Sequence, residues 1–176
     1  MLHVVERNSF NRIRCLRMHD LVRELAIFQS RRESFSTTYD DSLGVMQVES
    51  DSRRMSVLQC KNDTQPSIGQ YRLRTFIAFT TSMASSSLFP TESKYIAVLE
   101  LSGLPIQTIP DSVGELFNLR YLGLDNTNVK ILPKSVVNLH NLETLKLQGA
   151  ECSNFPKGFG KLKRLRHIHI SKWLDI

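Results

Sequence analysis

The sequence repeats itself every 23 residues through its carboxy-terminal half, and this constrains the fold more than any other feature. Leu99, Leu122, Leu145 and Ile168 stand one such step apart, and so do Leu101, Leu124, Leu147 and Ile170. Ile96, Leu119, Leu142 and Leu165 precede them, while Ile106, Val129 and Cys152 and then Ile109, Leu132 and Phe155 follow. A proline column comes next, at Pro110, Pro133 and Pro156, and then Val113, Val136 and Phe159 with Leu116, Leu139 and Leu162. Apolar residues two apart face one side of a strand and leave their neighbours on the other. Proline supplies no N–H to a strand ladder and so ends the strand-side segment, after which Val-x-x-Leu packs a helical or 3₁₀ turn on the same core. A unit of this size cannot bury its own apolar side, so units stack and share one core.

The L-x-x-L-x-L core with these spacings is that of a leucine-rich repeat, and the predicted fold class is α/β: a leucine-rich-repeat solenoid preceded by a hairpin–helix remnant. Leu73, Phe76 and Ala78 mark a degenerate unit one step earlier, and Arg54–Leu58 reads as one more strand. Ser82–Ser87 lacks the pattern and reads as a mobile loop. Residues 33–52, rich in Ser, Thr and Asp, read as a linker. At the amino end, 1–7 and 13–18 have strand character around Asn8-Ser9-Phe10-Asn11, a hairpin signature. Asp20 then fits a helix N-cap, with Leu21, Leu25 and Phe28 as an apolar stripe. The expected organisation is therefore 1–32 hairpin–helix, 33–52 linker, 53–94 degenerate first repeats and 95–176 regular repeats.

At Arg17-Met18-His19-Asp20-Leu21-Val22-Arg23-Glu24-Leu25-Ala26 the chain resembles the Met-His-Asp region of plant nucleotide-binding leucine-rich-repeat disease-resistance proteins of the coiled-coil type. In that family the motif closes the winged-helix part of the nucleotide-binding module, and a linker leads into the repeats. The order here is similar, so the resemblance spans nearly the whole chain. It implies a part in plant innate immunity, and it implies that His19 corresponds to the histidine that contacts the nucleotide phosphate, with Asp20 supporting that geometry. The phosphate cradle G-x-x-x-x-G-K-[ST] does not occur in these 176 residues, so no set of backbone N–H groups with a lysine is present to meet phosphate charge. His19 is accordingly expected to be non-functional as a cofactor contact here, and no cofactor is expected. The 176-residue chain should neither retain nor hydrolyse ATP or ADP; stoichiometric micromolar binding of labelled ADP in equilibrium dialysis would contradict this.

The strand positions that alternate with the buried leucines form three outward columns: Val98, Tyr121, Thr144, His167; Glu100, Gly123, Lys146, His169; and Ser102, Asp125, Gln148, Ser171. In a solenoid this is the concave face, and a mixed polar surface with a tyrosine suits recognition of a protein. The candidate partner-binding residues are Glu100, Tyr121, Asp125, Thr144, Lys146, Gln148, His167 and His169. The expected partner is a protein, a pathogen effector or a host protein. His167-x-His169 could offer two zinc ligands from one strand face, but a closed site needs about four and Lys146 on the adjacent strand repels a metal. Cys152 fills an apolar column and reads as a small buried hydrophobe. Asp40-Asp41 falls in the linker, where solvation is the expected role. No catalytic residue and no metal site is expected, and the chain reads as a non-enzyme.

The net charge of +6 favours acidic surfaces, yet basic and acidic residues are interleaved and no nucleic-acid footprint stands out. The run Lys157, Lys161, Lys163, Arg164, Arg166 lacks aromatic platforms and reads as a solvated convex face. Three cysteines far apart point to reduced thiols and a cytoplasmic setting, and no stretch reaches the length of a membrane span. After Ile170 only Ser171–Ile176 follow, so the last unit is expected to lack a cap and to self-associate through its strand edge. At the other end, Leu21, Leu25 and Phe28 are expected to cover the first strands. An adaptor unrelated to defence, or part of an ADP/ATP switch whose phosphate loop lies outside this sequence, are the alternatives.

Overall fold

The computed structural model describes residues 2–7, 13–32, 37–40, 52–59, 72–79, 89–90, 93–152 and 154–170. Strands β1 (Leu2–Arg7) and β2 (Ile13–Met18) pair antiparallel, and helix α1 (Asp20–Arg32) follows. Then come β3 (Thr37–Asp40), β4 (Arg54–Gln59), β5 (Thr75–Ala78), β6 (Val98–Glu100), β7 (Tyr121–Gly123), β8 (Thr144–Leu147) and β9 (His167–Ile170). These seven form one parallel sheet in which every strand lies beside its neighbour in sequence. The order follows from the repeat: each unit returns the chain by the same path, so equivalent residues come level.

Register makes that concrete. Met55, Phe76, Leu99, Leu122, Leu145 and Ile168 are successive partners across the sheet. The first five are completely or almost completely buried, as are Val57, Ala78, Leu101, Leu124 and Leu147 in the second inward column. Leu116, Leu119, Leu139 and Leu142 close the core from the other side. Opposite the strands, the described residues hold three 3₁₀ turns, Asp111–Glu115, Lys134–Asn138 and Phe159–Lys161. The proline column does more than stop the ladder. Pro110 and Pro133 hold φ near −67° and −65°, and their carbonyls accept the N–H of Val113 and Val136 at 3.0 and 3.1 Å, which starts each turn. In the third unit the turn begins later, after Gly158, although the Pro156 carbonyl still accepts the Phe159 N–H at 3.1 Å.

Three features depart from the sequence reading. The segment read as a linker contains β3, whose Thr37-Thr38-Tyr39 pairs with β4; β-branched and aromatic residues suit a pleated strand despite the polar composition around them. Asp20 is the first helical residue rather than the N-cap. His19 holds the cap position, its Nδ1 accepting the Leu21 N–H at 3.3 Å, while Asp20 adds a favourable negative charge to the first turn. The stripe of α1 does not cover the first strands: Leu21, Leu25 and Phe28 are 75%, 65% and 64% exposed, whereas Met55 and Val57 are already buried. The expected turn at residues 8–11, the loop Ser82–Ser87 and the segment Ser171–Ile176 lie outside the described residues.

Candidate functional site

Two outward columns of the sheet carry the polar candidates. Thr75, Val98, Tyr121, Thr144 and His167 are consecutive partners in the first, and Ile77, Glu100, Gly123, Lys146 and His169 in the second. The structure therefore brings Glu100, Tyr121, Thr144, Lys146, His167 and His169 onto one surface, with the two histidines exposed and the others half-buried. Period-two alternation does this by itself, because the same strands send their leucines inward.

The centre of the face is a connected cluster. Tyr121 donates its hydroxyl proton to Glu100 Oε2 at 2.5 Å, and Glu100 Oε1 accepts the Ser102 N–H at 2.9 Å. Lys146 Nζ stands 5.6 Å from the centre of the Tyr121 ring, within reach of a cation–π attraction. Gly123 makes the arrangement possible. A Cβ there would overlap the Glu100 carboxylate, so the missing side chain leaves the space into which that carboxylate folds. Burial pushes the Tyr121 phenol well above its ordinary value of 10.0, helped by the Glu100 hydrogen bond and by the charges of Glu100 and Asp125. The phenol therefore stays protonated as a donor and is no general base.

A raised folded-state pKa favours the protonated form. The associated stability is present below the ordinary tyrosine range and is lost as pH climbs through the folded value. In an ultraviolet titration of the folded chain, Tyr121 should ionise in a late step above the ordinary tyrosine range. Glu100→Gln should bring it earlier, and Tyr121→Phe should remove the late step. A late step that survives Tyr121→Phe would contradict the cluster.

The third column has a different occupation. Ser102 Oγ accepts the Asp125 N–H at 3.0 Å, and Asp125 Oδ1 accepts the Gln148 N–H at 2.7 Å. These side chains tie each unit to the next just beyond the strands, so Asp125 is a structural acceptor as well as a surface group. Residue 126 in the following column is left-handed (Asn126, φ 55°), as are its repeat partners Gly103 and Gly149. A second ladder escaped the sequence reading: Asn118 Nδ2 donates to the Lys94 carbonyl at 2.9 Å and Asn141 Nδ2 to the Phe117 carbonyl at 2.7 Å. The 23-residue step from Asn118 to Asn141 was the signal that could have exposed it. In the next unit Arg164 stands at this place and donates to Asn141 Oδ1 at 2.7 Å.

Elsewhere the described residues hold little chemistry. His19 is exposed and serves the helix start. Among the described residues no group of three or more His, Cys, Asp or Glu could hold a metal ion, and no helix is long and apolar enough to cross a membrane. Cys152 is half-buried, and burial raises its thiol pKa, which keeps it from being a ready nucleophile. Lys157, Lys161, Lys163, Arg164 and Arg166 are exposed.

Comparison with known proteins bears on this geometry. The family model for a leucine-rich repeat region matches residues 72–176. The chain belongs to the leucine-rich repeat family. Its relatives include three proteins of Arabidopsis thaliana. Disease resistance protein RPM1 is 34% identical over 122 residues, covering 68% of this chain and 13% of that one. Disease resistance RPP13-like protein 3 is 33% identical over 135 residues, 70% of this chain and 16% of the relative. Disease resistance protein RPP13 is 30% identical over 132 residues, 73% and 15%. This leucine-rich-repeat chain thus spans 13–16% of the length of these relatives. Two solved structures share the fold. A leucine-rich-repeat protein of Leptospira interrogans has a TM-score of 0.51 at 22% identity, covering 72% of this chain and 36% of that one. The plant peptide hormone receptor RGFR1, in complex with RGF2, has a TM-score of 0.51 at 16% identity, covering 95% and 28%.

Proposed function

We propose that this leucine-rich-repeat chain is a protein-recognition module acting in plant defence inside the cell, with no catalysis of its own and with the outward face of the sheet as its binding surface. One observation carries the reading: the inward face is closed by leucines, while the outward face gathers a tyrosine, a lysine, a glutamate and two histidines in register across β6 to β9. Aromatic and cationic side chains of this kind supply most of the energy at protein interfaces. The relatives named as disease-resistance proteins support the biological setting. His19, seated at the start of α1, takes no part in recognition on this reading.

Tyr121→Ala combined with Lys146→Glu should abolish capture of the physiological protein partner while far-UV circular dichroism stays unchanged. Lys161→Glu, in the third 3₁₀ turn on the opposite side, should matter little, since peripheral charges chiefly tune association rate. Loss of capture with Lys161→Glu and retention with the paired change would place the binding surface on the wrong side.

A further inference from the structure

We propose that the outward face takes an extended, acidic protein segment lying across the strands, with a bulky apolar side chain over β5 and a carboxylate over β8–β9; this rests on the recognition reading above and specifies its ligand. The face is graded along the stack. Toward its beginning it is apolar. Ile77 and Val98 stand outward and half-buried, and Phe79, just past β5, is 58% exposed. Toward its end it is polar and carries an ammonium, with Lys146 beside the hydrogen-bonding imidazoles of His167 and His169. Tyr121, apolar on its ring and polar at its hydroxyl, stands between the two.

The carboxylates on this face keep their charge but form no ion pair with that end. Glu100 is taken by Tyr121 and by the Ser102 N–H, and Asp125 by the Gln148 N–H. Lys146 has no ion pair among the described residues, its contact being the ring face of Tyr121. A partner carboxylate over β8–β9 therefore meets an ammonium that no ion pair occupies, flanked by imidazoles, while a partner cation there meets like charge at Lys146. This complementarity selects an acidic segment.

Strand spacing sets the ligand's own spacing. From β5 to β8 is three strand steps and to β9 four, or about 14–19 Å at roughly 4.8 Å per step. An extended chain rises about 3.4 Å per residue, so the apolar and acidic side chains should be about four to six residues apart. A nucleic acid would satisfy the cationic end alone. The apolar end, with Ile77, Val98 and Phe79, has no counterpart in a phosphate backbone and favours the peptide.

Random dodecapeptides displayed on phage should be selected on the full chain, and enriched sequences titrated as fluorescein-labelled peptides by anisotropy. Enriched peptides should share an aromatic or aliphatic residue about four to six positions from Asp or Glu. Phe79→Ser and Lys146→Glu, both surface changes, should each weaken binding about tenfold or more. Replacing the peptide's acid by lysine should abolish binding to the unaltered chain and restore it to the Lys146→Glu chain. Absence of enrichment, enrichment without the acid, failure of the charge swap to restore binding, or a single-stranded oligonucleotide bound as tightly as the peptides would overturn the proposal. If these results appear while Tyr121→Ala with Lys146→Glu still abolishes partner capture, recognition by this face stands and only the ligand assignment falls.

Discussion

Leu122→Ala should destabilise the chain by about 2–5 kcal/mol, the cost of emptying a leucine site that collapses only partly. Leu122 is fully buried at the middle of the inward column, between Leu99 on β6 and Leu145 on β8. In a stacked fold, stability is close to a sum of unit and interface contributions, each unit touching only its neighbours. A cavity at Leu122 therefore loosens both interfaces of its unit. Native domains hold only about 5–15 kcal/mol in total, so this one change should bring the chain near the unfolding threshold at ambient temperature. Tyr121→Ala, the neighbouring residue on the same strand, faces outward and should cost far less. Urea denaturation midpoints for the two variants check the contrast. Equal midpoints would mean that the inward and outward assignment of β7 is mistaken.

Appending one further 23-residue unit with a polar outer face should stabilise the 176-residue chain and reduce its self-association. The inward column is closed from β4 to β8, but Ile168 and Ile170 on β9 are 45% and 39% exposed. Both stand in register with Leu145 and Leu147, so a following strand would cover them as β9 covers β8. Completing the burial of two isoleucines is worth about 1–3 kcal/mol at roughly 1.5–3 kcal/mol for each fully buried side chain. For a chain of this size each kcal/mol raises the melting temperature by about 2–4 °C. Among the described residues no strand follows β9 in the sheet, and such an edge with its apolar side chains offers a template for a second copy. Sedimentation should then show concentration-dependent association that the added unit suppresses. A clean monomer at high concentration, with a melting temperature unmoved by the new unit, would contradict the account.

The sheet was legible in the sequence because its information is periodic. Leu99, Leu122 and Leu145 declare their registry by spacing alone, and the alternation between them places Tyr121 and Lys146 outward without reference to coordinates. Features set by a single local context were harder to read. β3 hid in a polar stretch because composition outweighed the β-branched Thr37-Thr38. The helix start moved by one residue because His19 can offer a ring nitrogen where an aspartate was expected. The stripe on α1 was visible, but a stripe carries no label for what it packs against, and it remains exposed.

The candidate site was legible as a list and not as a mechanism. Its columns held Tyr121, Glu100 and Lys146, but their coupling depends on the Glu100 carboxylate folding into the space that Gly123 leaves. A glycine in a strand column reads as a gap until the neighbouring side chain is seen to fill it. Asp125, chosen as a surface acid, also accepts a backbone N–H from the next unit. The apolar end of the face, Ile77 and Phe79, went unnoticed because it belongs to a unit whose repeat pattern is degenerate.

The central claim is that recognition occurs on the outward face of the sheet, and differential lysine labelling tests it most directly. Lys146 stands on that face, while Lys134 and Lys161 lie in the 3₁₀ turns opposite. Reductive methylation read by mass spectrometry, with and without the bound protein partner, should show Lys146 protected by the partner and Lys134 and Lys161 labelled at unchanged rates. Protection of Lys134 and Lys161 with Lys146 left fully reactive would contradict the account.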